Sequence, residues 1–123
     1  MQESGEMYLE TIRILLSKQK IVRAIDVGNY MGFSKPSVSR AMSVLKRDGY
    51  VTVGEGGAIG LTEAGKKIAD TILERHTVLT KMLTGIGVDP ETAEKDACRM
   101  EHVISPETFD AIKKFMKDNR KKQ

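Results

Sequence analysis

The sequence has little that would tie it to secretion or to a membrane. Its 123 residues include one cysteine, Cys98, so no disulfide can form within the chain and nothing points to an oxidising compartment. No apolar run approaches the roughly 18 residues that span a bilayer. The opening segment, MQESGEMYLE, is polar and acidic, unlike a signal peptide. These absences argue against a disulfide-stabilised or membrane-spanning class and predict a cytoplasmic protein.

The sequence also lacks internal repeats and low-complexity linkers, and its charges are unevenly spread. The formal net charge of +3 is small. However, residues 18–47 carry seven Lys or Arg and one acid, residues 89–110 carry seven acids and two bases, and residues 113–123 carry six bases and one acid. This separation predicts a basic surface for a polyanion and a distinct acidic region, although solvated helix faces would give the same pattern.

The spacing of apolar residues predicts a mainly α fold with one β-hairpin. Helices are expected at about residues 3–17 and 24–31, from Ser34 to Gly49, from Thr62 to about residue 84, from Asp89 to Ile104, and after Ser105. Between the third and fourth helices, YVTVGEGGAIGLT predicts a strand, a glycine-rich turn and a strand. A helix, a tight turn, a helix and a hairpin form the order of a winged helix-turn-helix. We therefore expect a winged helix-turn-helix DNA-binding domain at 1–61 and a helical domain at 62–123.

In a helix-turn-helix, the second helix enters the DNA major groove by its N-terminal end. Here that end is rich in basic and hydroxyl side chains, with the candidate DNA-binding residues Ser34, Lys35, Pro36, Ser37, Ser39 and Arg40. Lysine and arginine neutralise phosphates, and small hydroxyl side chains let the backbone approach closely. The hairpin tip has no Lys or Arg and should add little electrostatic affinity. A helix-turn-helix can also be only a packing unit, but this basic, serine-rich face favours DNA binding.

The segment DACRMEHVIS gathers three chemically active side chains, Cys98, Glu101 and His102. On a helix, positions i, i+3 and i+4 share one face. Thiolate, carboxylate and imidazole groups all bind first-row metals, and three ligands on one helix need others from elsewhere. Candidates on other predicted helices are Met7, Glu10 and His76.

Three other interpretations of this segment remain open. The first is structural: a buried Cys98 beside a solvated Glu101 and a surface His102. The second is a metalloenzyme with Cys98 as nucleophile and His102 as base, although the sequence offers no oxyanion loop and no orienting residue beyond Glu101. The third is a winged-helix regulator that senses redox or a small ligand through Cys98, although a single thiol without a resolving partner is a modest sensor.

Several segments match one known family along nearly the whole chain. They are EMYLETI, SKPSVSRAMSVLKRDGYV, IGLTEAGKKIA, ERH and GIGVDPETAEKDACRMEHVIS, of which the last is the most specific. On these segments the chain resembles the iron- and manganese-dependent repressors of the diphtheria-toxin-repressor family. The resemblance implies the two-domain form, without the SH3-like third domain of longer members, and a C-terminal helical domain for metal binding and dimerisation.

The resemblance implies a primary metal site made of Met7, Cys98, Glu101 and His102. The iron-responsive branch of the family uses Met, Cys, Glu and His in this site, whereas the manganese-responsive branch has Asp and Glu in place of the Met and the Cys. This sequence follows the iron branch at both positions. Fe²⁺ is therefore the expected metal, with Mn²⁺, Co²⁺, Ni²⁺ and Zn²⁺ as alternatives.

The family's ancillary metal site is only partly matched. Its histidine on the long helix corresponds to His76, and Glu94 stands where the family has a further histidine. Thr80 replaces a glutamate of the iron branch, while Glu10 corresponds to a carboxylate ligand of the manganese branch. The resemblance therefore implies a hybrid site that takes one or two metal ions.

The expected function is a metal-activated transcriptional repressor, not an enzyme, that binds a palindromic operator in double-stranded DNA as a homodimer. A metal that joins Met7 to the Cys98 helix would tie two lobes together and set the spacing of two recognition helices. Residues 62–118 also contain more apolar side chains than one small lobe can cover, which favours a dimer. They are Ile86, Val88, Val103, Ile104, Phe109, Ile112, Phe115 and Met116.

Overall fold

The computed structural model describes residues 2–121. Across these residues the protein has six α-helices and one two-stranded antiparallel sheet, and no helix in that range combines the length and apolarity needed to cross a lipid bilayer. The chain forms two compact units, residues 1–71 and 72–123. The first contains the helix-turn-helix and hairpin, and the second is helical, so the predicted fold class is confirmed. The assignment of sequence domains at 1–61 and 62–123 stays a prediction.

The first unit begins with the helices α1 (Glu3–Lys18), α2 (Ala24–Met31) and α3 (Lys35–Arg47). Gly32 ends α2 in the left-handed conformation, with φ of 75°, which glycine adopts without a steric penalty. Ser34 then caps α3, because its hydroxyl oxygen accepts a hydrogen bond from the Ser37 amide at 3.3 Å. The turn between α2 and α3 is therefore short, as the sequence predicts.

A β-hairpin follows α3. Strand β1 (Val51–Val53) pairs with the antiparallel strand β2 (Ile59–Leu61), with Thr52 opposite Gly60. A single 3-10 turn at Glu55–Gly57 lies at the tip between them. The hairpin predicted from the glycine-rich segment is thus present, with three residues in each strand.

Helix α4 (Glu63–Gly85) starts directly after β2 and continues into the second unit. Thr62 caps it: its hydroxyl accepts a hydrogen bond from the Gly65 amide at 3.1 Å and donates one to the Gly49 carbonyl at 2.7 Å. Gly65 approaches the Tyr50 backbone so closely that a Cβ atom at this position would overlap the Tyr50 carbonyl oxygen. The start of α4 is therefore packed directly on the turn that precedes the hairpin.

An apolar core joins the elements of the first unit. Its buried members are Tyr8, Leu9, Ile12, Leu15, Val22, Val27, Val38, Met42, Leu45, Val51, Ile59 and Ala69. On α3, the residues Val38, Met42 and Leu45 face this core. The opposite side of α3, with its basic and hydroxyl side chains, consequently remains exposed.

The second unit contains the rest of α4 together with α5 (Pro90–Met100) and α6 (Pro106–Lys121). Asp89 caps α5 by accepting hydrogen bonds from the Glu91 amide at 3.1 Å and the Thr92 amide at 3.3 Å. Ser105 caps α6 through the Thr108 amide at 3.1 Å. The fully or nearly buried side chains of this unit include Leu79, Ala93, Ala97, Glu101 and Phe109.

Helix α5 is shorter than the sequence predicts. The expected helix continued to Ile104, but α5 ends at Met100 and residues 101–103 form turns. Pro106 disfavours helical backbone at Ser105, so the chain cannot stay helical from α5 into α6, but this constraint does not reach residues 101–103. The candidate ligands Glu101 and His102 therefore lie on a turn beyond α5, and this part of the prediction was wrong.

The second unit exposes several large apolar side chains. Ile86, Val103 and Phe115 are 71%, 72% and 58% exposed. Phe109, counted with them in the sequence, is only 4% exposed, because it packs beneath the cationic groups of Arg75 and Lys113. The apolar surface offered by this unit is therefore real but does not include Phe109.

Candidate metal centre and nucleic-acid interface

The N-terminal end of α3 is the first candidate site. Lys35, Pro36, Ser39 and Arg40 are exposed there. The hydroxyl of Ser34 donates to the Ser37 Oγ atom at 2.9 Å, and the Arg40 Nη2 atom donates to the same oxygen at 3.3 Å. The structure thus brings all six predicted residues to one helix end, where Ser34 and Ser37 hold the cap while Lys35, Ser39 and Arg40 are exposed to solvent.

A cavity of about 460 Å³ lies beside this end of α3, bordered also by the start of α2 and by the hairpin. Three cations line it: Lys35, Lys46 and Arg23. A concave surface lined by one sign of charge concentrates ions of the opposite sign. Of these three cations, only Lys35 was predicted from the sequence to bind DNA. Arg23 and Lys46 belong to the basic segment 18–47, and its charge was the one signal in the sequence that pointed to them.

Arg23 also contacts the hairpin tip. Its Nε atom donates a hydrogen bond to the Gly56 carbonyl at 2.9 Å, and its backbone amide donates to the Asp26 Oδ2 atom at 2.8 Å. The tip has no Lys or Arg of its own, but the folded chain places the Arg23 guanidinium directly beside it. The hairpin therefore has a positive neighbour that its own sequence does not contain.

Arg40 has an aromatic neighbour in the same unit. Tyr8 packs against Phe33, with 5.9 Å between the ring centroids. Burial raises the pKa of the Tyr8 phenol above its ordinary value, and the positive charge of Arg40 lowers that pKa in part. The phenol is therefore neutral near physiological pH and carries no charge that would offset the charge of Arg40.

The second candidate site is a cluster of metal-binding groups in the second unit. A ring nitrogen of His76 on α4, the Sγ atom of Cys98 on α5 and a carboxylate oxygen of Glu101 just beyond α5 all lie within 4.8 Å of one another. Imidazole, thiolate and carboxylate groups form a mixed ligand set for a first-row divalent metal. The residues present therefore fit a metal ion of the class implied by the resemblance.

Glu101 is the centre of this cluster. Its side chain is fully buried, at 0% exposure. The His76 Nδ1 atom lies 2.9 Å from Glu101 Oε2, and the His102 Nε2 atom lies 3.3 Å from Glu101 Oε1. The His102 side chain is itself only 1% exposed. A buried carboxylate is unfavourable unless it is paired or bound to a metal, so two imidazoles around one carboxylate indicate a built site.

The structural interpretation of this segment is not supported. It required a buried Cys98 and a solvated Glu101, but Cys98 is exposed and Glu101 is buried. The His102 side chain is buried as well, not on the surface. An accessible thiol beside a buried carboxylate is the arrangement expected of a metal site that an ion can reach from solvent.

Met7 and Glu10 belong to the first unit, one helical turn apart on α1. The Met7 residue is 38% exposed and Glu10 is half-buried. A spacing of three residues places their side chains on the same side of the helix. Their assignment as metal ligands stays a prediction.

The ancillary candidates differ from one another. The Thr80 hydroxyl donates a hydrogen bond to the His76 carbonyl at 2.7 Å, so the residue that replaces a family glutamate bonds to its own helix. Glu94 is exposed on α5 and is not one of the three residues gathered around Glu101. Its role as a ligand stays a prediction, whereas His76 is held directly against the cluster.

Sequence reasoning missed Arg75, which lies next to His76 on α4. Its Nη1 atom donates hydrogen bonds to the backbone carbonyls of Glu101 at 3.0 Å and Ile104 at 2.9 Å. Nothing in the spacing of charged residues distinguishes this arginine from a solvated one. Only the segment ERH in the family match pointed to its neighbourhood.

Two known domain families match the chain. Residues 1–58 match the N-terminal DNA binding domain of iron dependent repressors, and residues 62–122 match the metal binding and dimerisation domain of iron dependent repressors. The two matches together span nearly the whole sequence.

Individual relatives agree with these matches. The chain is 34% identical over 108 residues to the transcriptional regulator MntR of Escherichia coli, which covers 88% of this chain and 70% of that relative. It is 31% identical over 117 residues to the diphtheria toxin repressor of Corynebacterium diphtheriae, covering 94% of this chain and 52% of the repressor, about half its length. The crystal structure of the metal-dependent transcriptional regulator MtsR is similar in fold, with a TM-score of 0.84 at 19% identity over 95% of this chain and 55% of that chain.

Proposed function

Since the chain belongs to the iron-dependent repressor family, we propose that it is a divalent-metal-activated transcriptional repressor that responds to Fe²⁺ and controls genes of metal homeostasis. The family consists of metal-dependent transcriptional repressors, not enzymes. The metalloenzyme hypothesis with Cys98 as nucleophile is therefore abandoned.

The observation that carries the proposal is the group of three donor atoms in the second unit. His76, Cys98 and Glu101 offer nitrogen, sulfur and oxygen within 4.8 Å of one another, and His102 contacts the same carboxylate. When bound, a divalent ion would supply coordination bonds that draw these ligands together and offset the buried negative charge. Met7 and Glu10 are proposed to complete the ligand set, on the strength of the family resemblance.

The choice of Fe²⁺ rests on ligand chemistry. The Cys98 thiolate and the Met7 thioether are softer ligands than the carboxylates of the manganese branch, and softer ligands favour Fe²⁺, Co²⁺, Ni²⁺ or Zn²⁺ over Mn²⁺. Cellular availability makes Fe²⁺ the proposed signal among these. Glu10 acts in the opposite direction, because a carboxylate makes the set harder and offers a place for a second ion.

DNA recognition is proposed to use the exposed end of α3. Lys35 and Arg40 would contact phosphates, Ser39 would approach the base edges, and Arg23 would contact the backbone beside the hairpin. Two copies in a dimer would place two such helices on a palindromic operator. Ligands from both units would make the ion favour one arrangement of the chain, so that metal and DNA binding strengthen each other. Such a repressor works in the cytoplasm, where the chromosome lies.

The test is a metal panel in a DNA-binding assay. An operator is first selected from a random duplex library with protein and Fe²⁺ under anaerobic conditions. Fluorescence anisotropy then measures its affinity with Fe²⁺, Co²⁺, Ni²⁺, Zn²⁺ or Mn²⁺ at matched concentrations of unbound metal, and with a chelator. We expect tight binding with Fe²⁺ and Co²⁺, weaker binding with Mn²⁺, and loss of binding with the chelator. Equal activation by Mn²⁺ and Fe²⁺ would show that ligand softness does not decide selectivity.

A double variant sharpens the metal assignment. Met7→Asp with Cys98→Glu rebuilds the harder ligand set of the manganese branch, so its response to Mn²⁺ relative to Fe²⁺ should increase. An unchanged ratio would remove Met7 and Cys98 from the site.

The exposure of Cys98 favours one alternative, a regulator that senses redox through this thiol. The same assay separates the two functions. DNA binding that ignores metal and chelator, is lost on treatment with hydrogen peroxide and returns with a thiol reductant would establish the alternative.

A further inference from the structure

Arg75 is held in an unusual setting for a charged residue. Its Nη1 atom donates to two backbone carbonyls, those of Glu101 and Ile104, at 3.0 and 2.9 Å. Its guanidinium carbon lies 5.4 Å from the centre of the Phe109 ring, which is 4% exposed. Among the described residues its Nε atom is buried and has no hydrogen-bond partner. One hydrogen-bond donor of Arg75 is therefore buried without being used. The position of this side chain is set by its two carbonyl bonds and by the Phe109 ring, not by solvation.

The two carbonyls bracket the turn that follows α5. The last carbonyls of a helix have no partner within the helix and carry partial negative charge. The amides of Val103 and Ile104 both bond back to the Met100 carbonyl, at 3.1 and 3.2 Å. The Arg75 guanidinium bonds to the carbonyls at both ends of this turn, those of Glu101 and Ile104, and so holds the turn in place.

Two consecutive residues of α4 therefore hold Glu101 from two sides. His76 contacts the Glu101 carboxylate at 2.9 Å, and Arg75 contacts the Glu101 backbone carbonyl at 3.0 Å. Because the backbone and the side chain are both fixed to one helix, the carboxylate has little room to turn away. The neighbouring His102 lies on the same turn and is positioned with it.

We infer that Arg75 is a positioning residue of the metal centre: it fixes the Glu101–Ile104 turn and so preorganises the ligands Glu101 and His102 before a metal ion binds. The inference rests on the proposed metal-dependent function. Groups that orient metal ligands without touching the ion typically change metal affinity about 10-fold to 100-fold when removed. A rigid guanidinium serves two fixed acceptors better than a flexible ammonium does.

The experiment compares Arg75→Lys with a matched control, Lys113→Ala, in the full chain. Lys113 lies over the same Phe109 ring, with Nζ 5.7 Å from its centre, and pairs with Glu74 at 3.2 Å. It makes no hydrogen bond to the turn among the contacts described. Arg75→Lys keeps the positive charge but changes the two carbonyl bonds, whereas Lys113→Ala removes a cation from the same ring and leaves those bonds in place.

Two readouts are measured for each protein. Anaerobic titration with Co²⁺ gives the affinity, followed by the visible absorption of the cobalt–thiolate complex. Hydrogen–deuterium exchange of the metal-free protein gives the protection of the Val103 and Ile104 amides. Thermal unfolding of each metal-free variant shows how much stability is lost.

We expect Arg75→Lys to weaken Co²⁺ binding about 10-fold or more and to accelerate exchange of the two amides. Lys113→Ala should change the Co²⁺ affinity by less than about 5-fold, because its contacts are exposed. Wild-type Co²⁺ affinity in Arg75→Lys, even with a lower unfolding temperature, would make Arg75 a packing residue only and overturn the inference. An equal loss in Lys113→Ala would also overturn it, since altered packing around the shared Phe109 ring would then suffice. Failure of the unaltered chain to bind Co²⁺ would instead sink the proposed function, and the inference with it.

Discussion

The recognition end of α3 and the cluster around Glu101 are built in opposite ways. At α3, residues 34–40 are adjacent in the sequence and most of their side chains are exposed. Around Glu101, the partners His76 and Glu101 are 25 residues apart and the carboxylate is fully buried. One site is a surface that the helix displays, and the other exists only because separate segments pack together.

This difference predicts how each site responds to mutation. Exposed cations on α3 are solvated and act nearly independently, so each one should contribute a separate increment to DNA affinity. In the cluster, two imidazoles contact one buried carboxylate, so the loss of that carboxylate removes both contacts at once. The proposed metal centre should therefore be far more sensitive to a single substitution than the proposed DNA surface.

The largest expected effect is the loss of the buried carboxylate. Glu101→Gln keeps the shape of the side chain but removes its charge, so metal affinity should fall by more than about 100-fold, beyond the range for groups that only orient ligands. Anaerobic Co²⁺ titration measures this directly.

The matched control for that substitution is Glu91→Gln, which removes an exposed carboxylate from α5 at a position with no predicted role in metal binding. It should change the affinity by less than about 5-fold. A comparable loss in both variants would break the comparison, because an exposed carboxylate outside the cluster would then matter as much as the buried one.

An intermediate effect, on the free energy of unfolding, is expected at Gly65, where the first unit is tightly packed. A methyl group at Gly65 would overlap the Tyr50 carbonyl oxygen, so Gly65→Ala should lower the free energy of unfolding by about 1–3 kcal/mol through overpacking. In the second unit, a Cβ at Gly85 meets nothing within 4 Å. Gly85→Ala should change the free energy of unfolding by less than about 1 kcal/mol.

Denaturant unfolding of the full chain distinguishes these two glycines. Equal stability of both variants would mean that the contact between α4 and residue 50 relaxes easily. The packing between the start of α4 and the turn after α3 would then be less rigid than the structure indicates.

The smallest effects are expected at the exposed surface of α3. Lys35→Ala and Arg40→Ala should each reduce the slope of log affinity against log salt by about one unit on nonspecific duplex DNA, because each removes one phosphate contact. Metal binding should be unchanged in both variants. Anisotropy titrations at several salt concentrations measure the slope.

A lysine from the acidic segment provides the control for these two. Lys95 pairs with Glu91 at 3.4 Å on α5, and Lys95→Ala should leave the salt slope as it is in the unaltered protein. An unchanged slope in Lys35→Ala and Arg40→Ala would mean that the DNA surface lies elsewhere on the molecule.

Most of the local structure was predictable because its causes are local. Ser34, Thr62 and Asp89 cap the helices that the sequence assigned to them, since each hydroxyl or carboxylate reaches an amide two or three residues ahead. The winged order of elements follows from the same signals. The end of α5 was missed, because periodic apolar spacing continues through Ile104 and gives no sign that residues 101–103 form turns.

The two sites show where prediction from sequence ends. The sequence alone determined the cap at Ser34, the basic face of α3 and the residue types of the metal centre, because these depend on neighbours along the chain. Only the tertiary structure decided that Glu101 is buried, that Arg75 donates hydrogen bonds to the turn at Glu101, and that Arg23 lies against the hairpin tip. Burial and long-range hydrogen bonds depend on which segments pack together, and that information is spread over the whole chain and absent from any single stretch of it.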